Sequence, residues 1–238
     1  MAKKNLIDRQ EGRDTYMKRL LTIISIMVLG ITLAACNSSD QTKEEIYNHL
    51  EEAVKKEKDF HEAQKDLVEV EKEESKLYEQ MIEINMEEID QVKDKAEKAK
   101  KLSQDRKEIM ENEMESIKAG KEEFDEMIPL VEELESEEAK NQANEMVEVM
   151  ENRYKSFAEL HETYLSSIKS DQKLYDLLMD EELDKETLDE QVNEINQKYE
   201  EIATHQEEFN ELTNEFNELK KQFYETIELD VQYEEESE

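Results

Sequence analysis

Among 238 residues there is one cysteine, Cys36, and its surroundings suit one reaction of a thiol. It closes the string Leu33-Ala34-Ala35-Cys36, which ends a 14-residue apolar run (Leu20 to Leu33) that follows Lys18 and Arg19. A thiol so placed can take a diacylglyceryl group through a thioether. The small side chains of Ala34 and Ala35 then let a membrane-embedded peptidase reach the backbone and cut between Ala35 and Cys36, leaving Cys36 as the new N-terminus. Two acyl chains, at about 0.8 kcal/mol per buried methylene, hold a protein on a bilayer where one chain is marginal. The apolar run is short of the roughly 20 residues that span a bilayer and fits the core of a signal peptide. Residues 17–35 therefore read as a lipoprotein signal peptide and 36–41 as a lipidated tether. Residues 1–16 read as an upstream extension, with Met17-Lys18-Arg19 as the true start, because Asp8, Glu11 and Asp14 do not belong in a signal peptide's basic leader.

The remaining side chains offer little further chemistry. A di-metal carboxylate site in a helical bundle needs an acid three residues before a histidine. The residues three before His49, His61, His161 and His205 are Ile46, Lys58, Ala158 and Ile202. There is no His-Glu-x-x-His, no glycine loop for phosphate and no nucleophile elbow. The expectation is a protein without catalytic residues, metal ligands or cofactor, whose ligand-binding residues stay unassigned. His161 and Asp171 fall on a helical seam, where polar side chains fix register more often than they bind. Tyr154, Phe157, Tyr164 and Tyr175 share that spacing and read as core, not as a platform for sugars.

Charge bounds the partners. Residues 1–35 hold six basic and three acidic residues, leaving 25 basic and 63 acidic in 36–238, a net charge of −38. Such a surface repels nucleic acid, anionic headgroups and anionic wall polymers, and attracts cations or basic partners. The acids themselves are expected to solvate a long helical surface.

These residues must be carried by helices. Three glycines, one proline and 41% charged residues leave few turns and many helix formers. Apolar positions at steps of three and four mark four segments. The first begins at a capping box, Thr42 to Glu45, and runs past Ile46, Leu50, Phe60, Leu67, Tyr78 and Ile84, with Glu57, Glu71 and Glu74 disturbing its seam. Asn85 is the candidate left-handed turn. The second follows Ile89, Val92, Ala96, Ala99, Ser103, Arg106, Met110, Glu113, Ile117, Gly120, Phe124 and Met127, and ends between Ile128 and Glu135 because of Pro129. Ser136 caps the third, with a seam through Val147, Met150, Tyr154, Phe157, His161, Tyr164, Ile168, Asp171 and Tyr175. Asp184 caps the fourth, whose steps Gln206, Phe209, Leu212 predict a stammer. The fold expected is all-α: an elongated antiparallel up-and-down bundle of four long helices over 42–229, with three unequal helices as the alternative and an acidic tail at 230–238.

Three strings, Ile84-Asn85-Met86-Glu87-Glu88-Ile89-Asp90, Met150-Glu151-Asn152-Arg153-Tyr154-Lys155-Ser156 and Lys173-Leu174-Tyr175, together with the lipobox and the acidic helical domain, give the chain a family resemblance. It resembles the cell-wall-binding lipoproteins of Gram-positive bacteria, the YkyA-like group, over most of 36–238. The resemblance implies a helical bundle on the outer face of the cytoplasmic membrane, anchored by lipid at Cys36 and facing the wall. It implies peptidoglycan or wall polymer as partner. The rival reading is a scaffold that binds another exported protein through a helical face. Nucleic acid is not an expected partner.

Overall fold

A computed structural model describes residues 38–84, 88–229 and 231. These residues form helices α1 (Ser38–Lys56), α2 (Lys58–Glu83), α3 (Ile89–Asp125), the single turn α4 (Ile128–Val131), α5 (Glu137–Leu178) and α6 (Lys185–Thr226). The fold is all-α, and the four expected helical stretches are present, the first of them divided into α1 and α2. No described helix is long and apolar enough to cross a membrane.

Local chemistry sets most boundaries. Ser136 accepts the Ala139 N–H on its hydroxyl at 3.3 Å and opens α5. Asp184 accepts the N–H groups of Glu186 and Thr187 at 2.8 and 3.0 Å and opens α6. Hydrogen bonds from Thr187 hold the Asp184 carboxyl below its ordinary range. A helix through residue 129 would need the Pro129 N–H to meet the Asp125 carbonyl. Proline has none, and α3 stops at Asp125, earlier than the sequence predicts. Pro129 then opens α4, where a missing N–H costs nothing. At the end of α6 Glu228 takes a left-handed conformation (φ 59°), and the Leu229 N–H returns to the Tyr224 carbonyl at 3.0 Å. That is a Schellman closure, with glutamate in the place that favours glycine.

Two start-of-chain expectations change. The helix already runs from Ser38, so Thr42 lies inside α1, buried, and is not its cap; the tether is correspondingly shorter on the folded side. The break between α2 and α3 stands where predicted, but Asn85 itself lies outside the described residues.

Backbone packing divides the chain into two units. The first contains Glu62–Met114 and Ala158–Gln206. Within it Gln80 and Gln64 of α2 meet Lys95 and Glu113 of α3, so the two helices run antiparallel. Its apolar core gathers Tyr78, Met81, Val92, Ala96, Ala99, Leu174, Tyr175, Val192 and Ile195. The second contains 38–61, Glu115–Phe157 and the described part of Glu207–Glu238. There Phe60, Phe157 and Phe209 meet at centroid distances of 5.2–5.9 Å, at tilted and edge-on angles that such rings prefer.

Seam positions explain the other corrections. From Val92 to Phe124 every predicted seam residue of α3 is buried, as is Met127 just beyond it, while Ile89 at its start is half-buried. In α5 the buried line passes through Met146, Arg153 and Leu160, while Val147 and His161 are half-buried. A bundle helix buries a face wider than a two-position stripe, so the choice between neighbours is made by packing. In α6 Thr213 is buried and Leu212 is not. The line Phe209, Thr213, Phe216, Lys220, Phe223 is then an unbroken alternation of four and three, and the predicted stammer disappears.

Candidate functional site

Five charged residues at or near seam positions, Glu57, Glu71, Glu74, Arg106 and Asp171, are drawn into two buried ionic layers, one in each unit. In the first unit Arg106 of α3 is 2% exposed. Its Nη1 donates to Glu74 of α2 at 2.9 Å and to Asp171 of α5 at 3.0 Å. Its Nε donates to the Tyr164 hydroxyl of α5 at 3.0 Å, and its Nη2 to Tyr199 of α6 at 3.1 Å. Glu71 Oε1 lies 4.0 Å from Nη2. One guanidinium thus faces three carboxylates, and hydroxyls supply the donors it cannot. Tyr175 and Ser103 donate to Glu74 at 2.7 and 2.8 Å, Tyr199 donates to Asp171 at 2.9 Å, and Tyr164 donates to Glu71. Burial alone would lower the Arg106 pKa, but Glu74, the two tyrosines and Asp171 hold it well above the ordinary value. Burial likewise pushes Tyr164 well up, so it stays a neutral donor.

The second layer centres on Arg153 of α5, also 2% exposed. It grips Glu57 through two parallel bonds of 2.9 and 2.6 Å and donates from Nε to Thr213 of α6 at 2.8 Å. The guanidinium lies 4.7 Å above the Phe209 ring. Glu57 is the residue at which α1 gives way to α2. There the Lys56 carbonyl and the Phe60 N–H, ordinary partners in a helix, are bridged by Ser116 of α3: its hydroxyl donates to Lys56 O at 2.8 Å and accepts from Phe60 N at 3.3 Å. A side chain inserted in the ladder is a recognised cause of a helix break. It is also what turns Glu57 inward. Gly120 leaves the room, since a Cβ there would stand 2.7 Å from Glu57 Cγ.

These arrangements join helices more than they present a reactive surface. The first ties α2, α3, α5 and α6, and the three nitrogens of its guanidinium are all engaged. Of the two polar seam residues singled out in the sequence, Asp171 enters this layer and His161 does not. Arg153 and Thr213 were missed because arginine and threonine read as surface residues; their steps of three and four from Met150, Phe157 and Phe209 were the available signal. The other predicted site residues, Ala35 and Cys36, lie outside the described residues. Every phenylalanine and tyrosine among the described residues is buried except Tyr199, which is half-buried with its hydroxyl in the Arg106 layer. The four-aromatic set on α5 is core, as its spacing predicts.

The fold and its buried layers define an all-helical protein whose buried ion pairs join its helices. The chain belongs to the YkyA family, described as "Putative cell-wall binding lipoprotein", which matches residues 41–226. It is 29% identical over 199 residues to the uncharacterized lipoprotein YkyA of Bacillus subtilis (strain 168), covering 84% of this chain and 85% of that one. A crystal structure of a conserved protein of unknown function from Staphylococcus aureus shares the fold with a TM-score of 0.68 at 16% identity, covering 80% of this chain and 97% of its own.

Proposed function

We propose that this chain is a non-enzymatic lipoprotein, held by lipid at Cys36 on the outer face of the cytoplasmic membrane, whose helical domain contacts cell-wall material. The observation that carries the reading is the lipobox Leu33-Ala34-Ala35-Cys36 standing directly before a domain of the family described as wall-binding. The helical domain begins at Ser38, two residues beyond Cys36. At no more than about 3.6 Å per residue, such a link keeps the start of α1 close to the lipid surface.

The chemistry of the wall contact follows from charge and burial. No described aromatic ring is exposed, so ring stacking on sugars has no described side chain to use. The net charge of −38 over 36–238 opposes anionic polymers directly. Divalent cations shared between carboxylates and wall phosphates, or hydrogen bonds to glycan, remain as the attractive terms.

The anchor is tested on protein extracted from membranes. Intact mass should correspond to a chain beginning at Cys36 plus a diacylglyceryl thioether, and Cys36→Ser should be found uncleaved. A wild-type chain that keeps the residues before Cys36 and a free thiol would remove the anchor from the proposal.

A further inference from the structure

Glu113 belongs to neither ionic layer. It sits on the seam of α3, 1% exposed. Gln64 of α2 donates to its Oε1 at 2.8 Å, while Oε2 is buried with no hydrogen-bond partner. Among the described residues no lysine, arginine or histidine is paired with it. Arg106, two turns away on the same helix, is committed to Glu74 and Asp171. Glu71 on α2 is the charged group that acts on it, and the helices of this unit also carry the titratable Tyr164 and half-buried His161 on α5 and Tyr199 and half-buried His205 on α6. An ionised carboxylate in this position has lost its water and gained one neutral donor. A neutral acid fits the same space at far lower cost.

We propose that Glu113 is a proton-holding site, and that releasing its proton loosens the unit formed by Glu62–Met114 and Ala158–Gln206. Burial is the main cause, Glu71 adds to it and the Gln64 bond opposes it; together they push the carboxyl up to about 8. The folded value is raised above the unfolded one. The contribution to stability is therefore whole below the ordinary carboxyl range near 4.5, falls as pH rises, and is lost once pH passes about 8. For a protein outside the membrane this couples the unit's firmness to external pH. That consequence rests on the lipoprotein reading, whereas the titration does not.

The test has two readouts on the full chain in detergent. The first is the side-chain carboxyl carbon resonance of Glu113, assigned by its loss in Glu113→Gln, followed from pH 4 to 9. The expected midpoint is near 8, and a midpoint in the ordinary carboxyl range would overturn the proposal. The second is urea unfolding of wild type and Glu113→Gln. Their unfolding constants should be alike near pH 4.5, separate by roughly tenfold per pH unit from there to about 8 with the variant becoming the more stable, and level off above that. His161→Gln should keep the wild-type fall. A constant separation at all pH values, or a fall that vanishes with His161 instead, would assign the effect elsewhere. Should Glu113→Gln not fold, Glu113→Leu takes its place in the second readout, and a variant that still loses stability with the wild-type slope overturns the proposal. Failure to find lipid at Cys36 would leave both readouts untouched.

Discussion

Arg106→Ala is expected to destabilise the protein by about 3–5 kcal/mol, toward the upper end. The reason is what remains. Glu71, Glu74 and Asp171 stay buried, at 6%, 2% and 3% exposure, with their shared cation gone. The hydroxyls of Tyr164, Tyr175, Tyr199 and Ser103 can still donate, but no positive charge offsets three carboxylates in a low-dielectric layer. Urea unfolding at pH 7 should show the loss, and hydrogen exchange should place it in Glu62–Met114 and Ala158–Gln206. Lowering the pH should restore part of it, because protonated acids no longer need the cation. Removing the charges together, as Arg106→Met with Glu74→Leu and Asp171→Leu, should also recover part, since a buried ion network is worth far less against an apolar core than against its own broken halves. An Arg106→Ala loss below about 1 kcal/mol would mean that water reaches the layer.

Arg153→Ala is expected to cost a similar amount, about 3–5 kcal/mol, by a different route. Its two parallel bonds hold Glu57 inside the domain at the residue that divides α1 from α2. Without them Glu57 has a buried carboxylate and Thr213 loses a donor. The cheapest escape is for Glu57 to turn outward, which disturbs the Ser116 bridge and the α1–α2 break. Hydrogen exchange at Phe60 and its neighbours should therefore accelerate beyond the change seen in the rest of 38–61. Arg153→Lys should rescue little, because an ammonium cannot reproduce the two-pronged grip or lie flat over Phe209. Full rescue by lysine would show that charge alone is needed there.

How far the molecule was readable from its residues differs by level. Helix number, the caps at Ser136 and Asp184, and the α3 seam followed from capping chemistry and a period of 3.5, which are local properties. The α1–α2 break did not, because it depends on Ser116, a residue 59 positions from Glu57 in sequence. The ionic layers were half readable. Glu57, Glu71, Glu74, Arg106 and Asp171 are charges at or near apolar spacings, and all five are buried in the layers. Which acid met which arginine was not readable, since pairing is decided by the register between helices. Arg153 and Thr213 were passed over because neighbouring Tyr154 and Leu212 offered more apolar choices. The lipid anchor proposed at Cys36, outside the described residues, rests on residue types and order alone, because a lipobox is recognised as an extended peptide.

The most direct test of the central claim, that this lipoprotein contacts the wall, is co-sedimentation of residues 37–238, which hold every described helix, with purified sacculi. It should be run with and without their anionic polymers, at low and high salt, and with or without Mg²⁺. The account predicts saturable binding that Mg²⁺ strengthens when the anionic polymers are present. A protein that stays in the supernatant under every condition would contradict it.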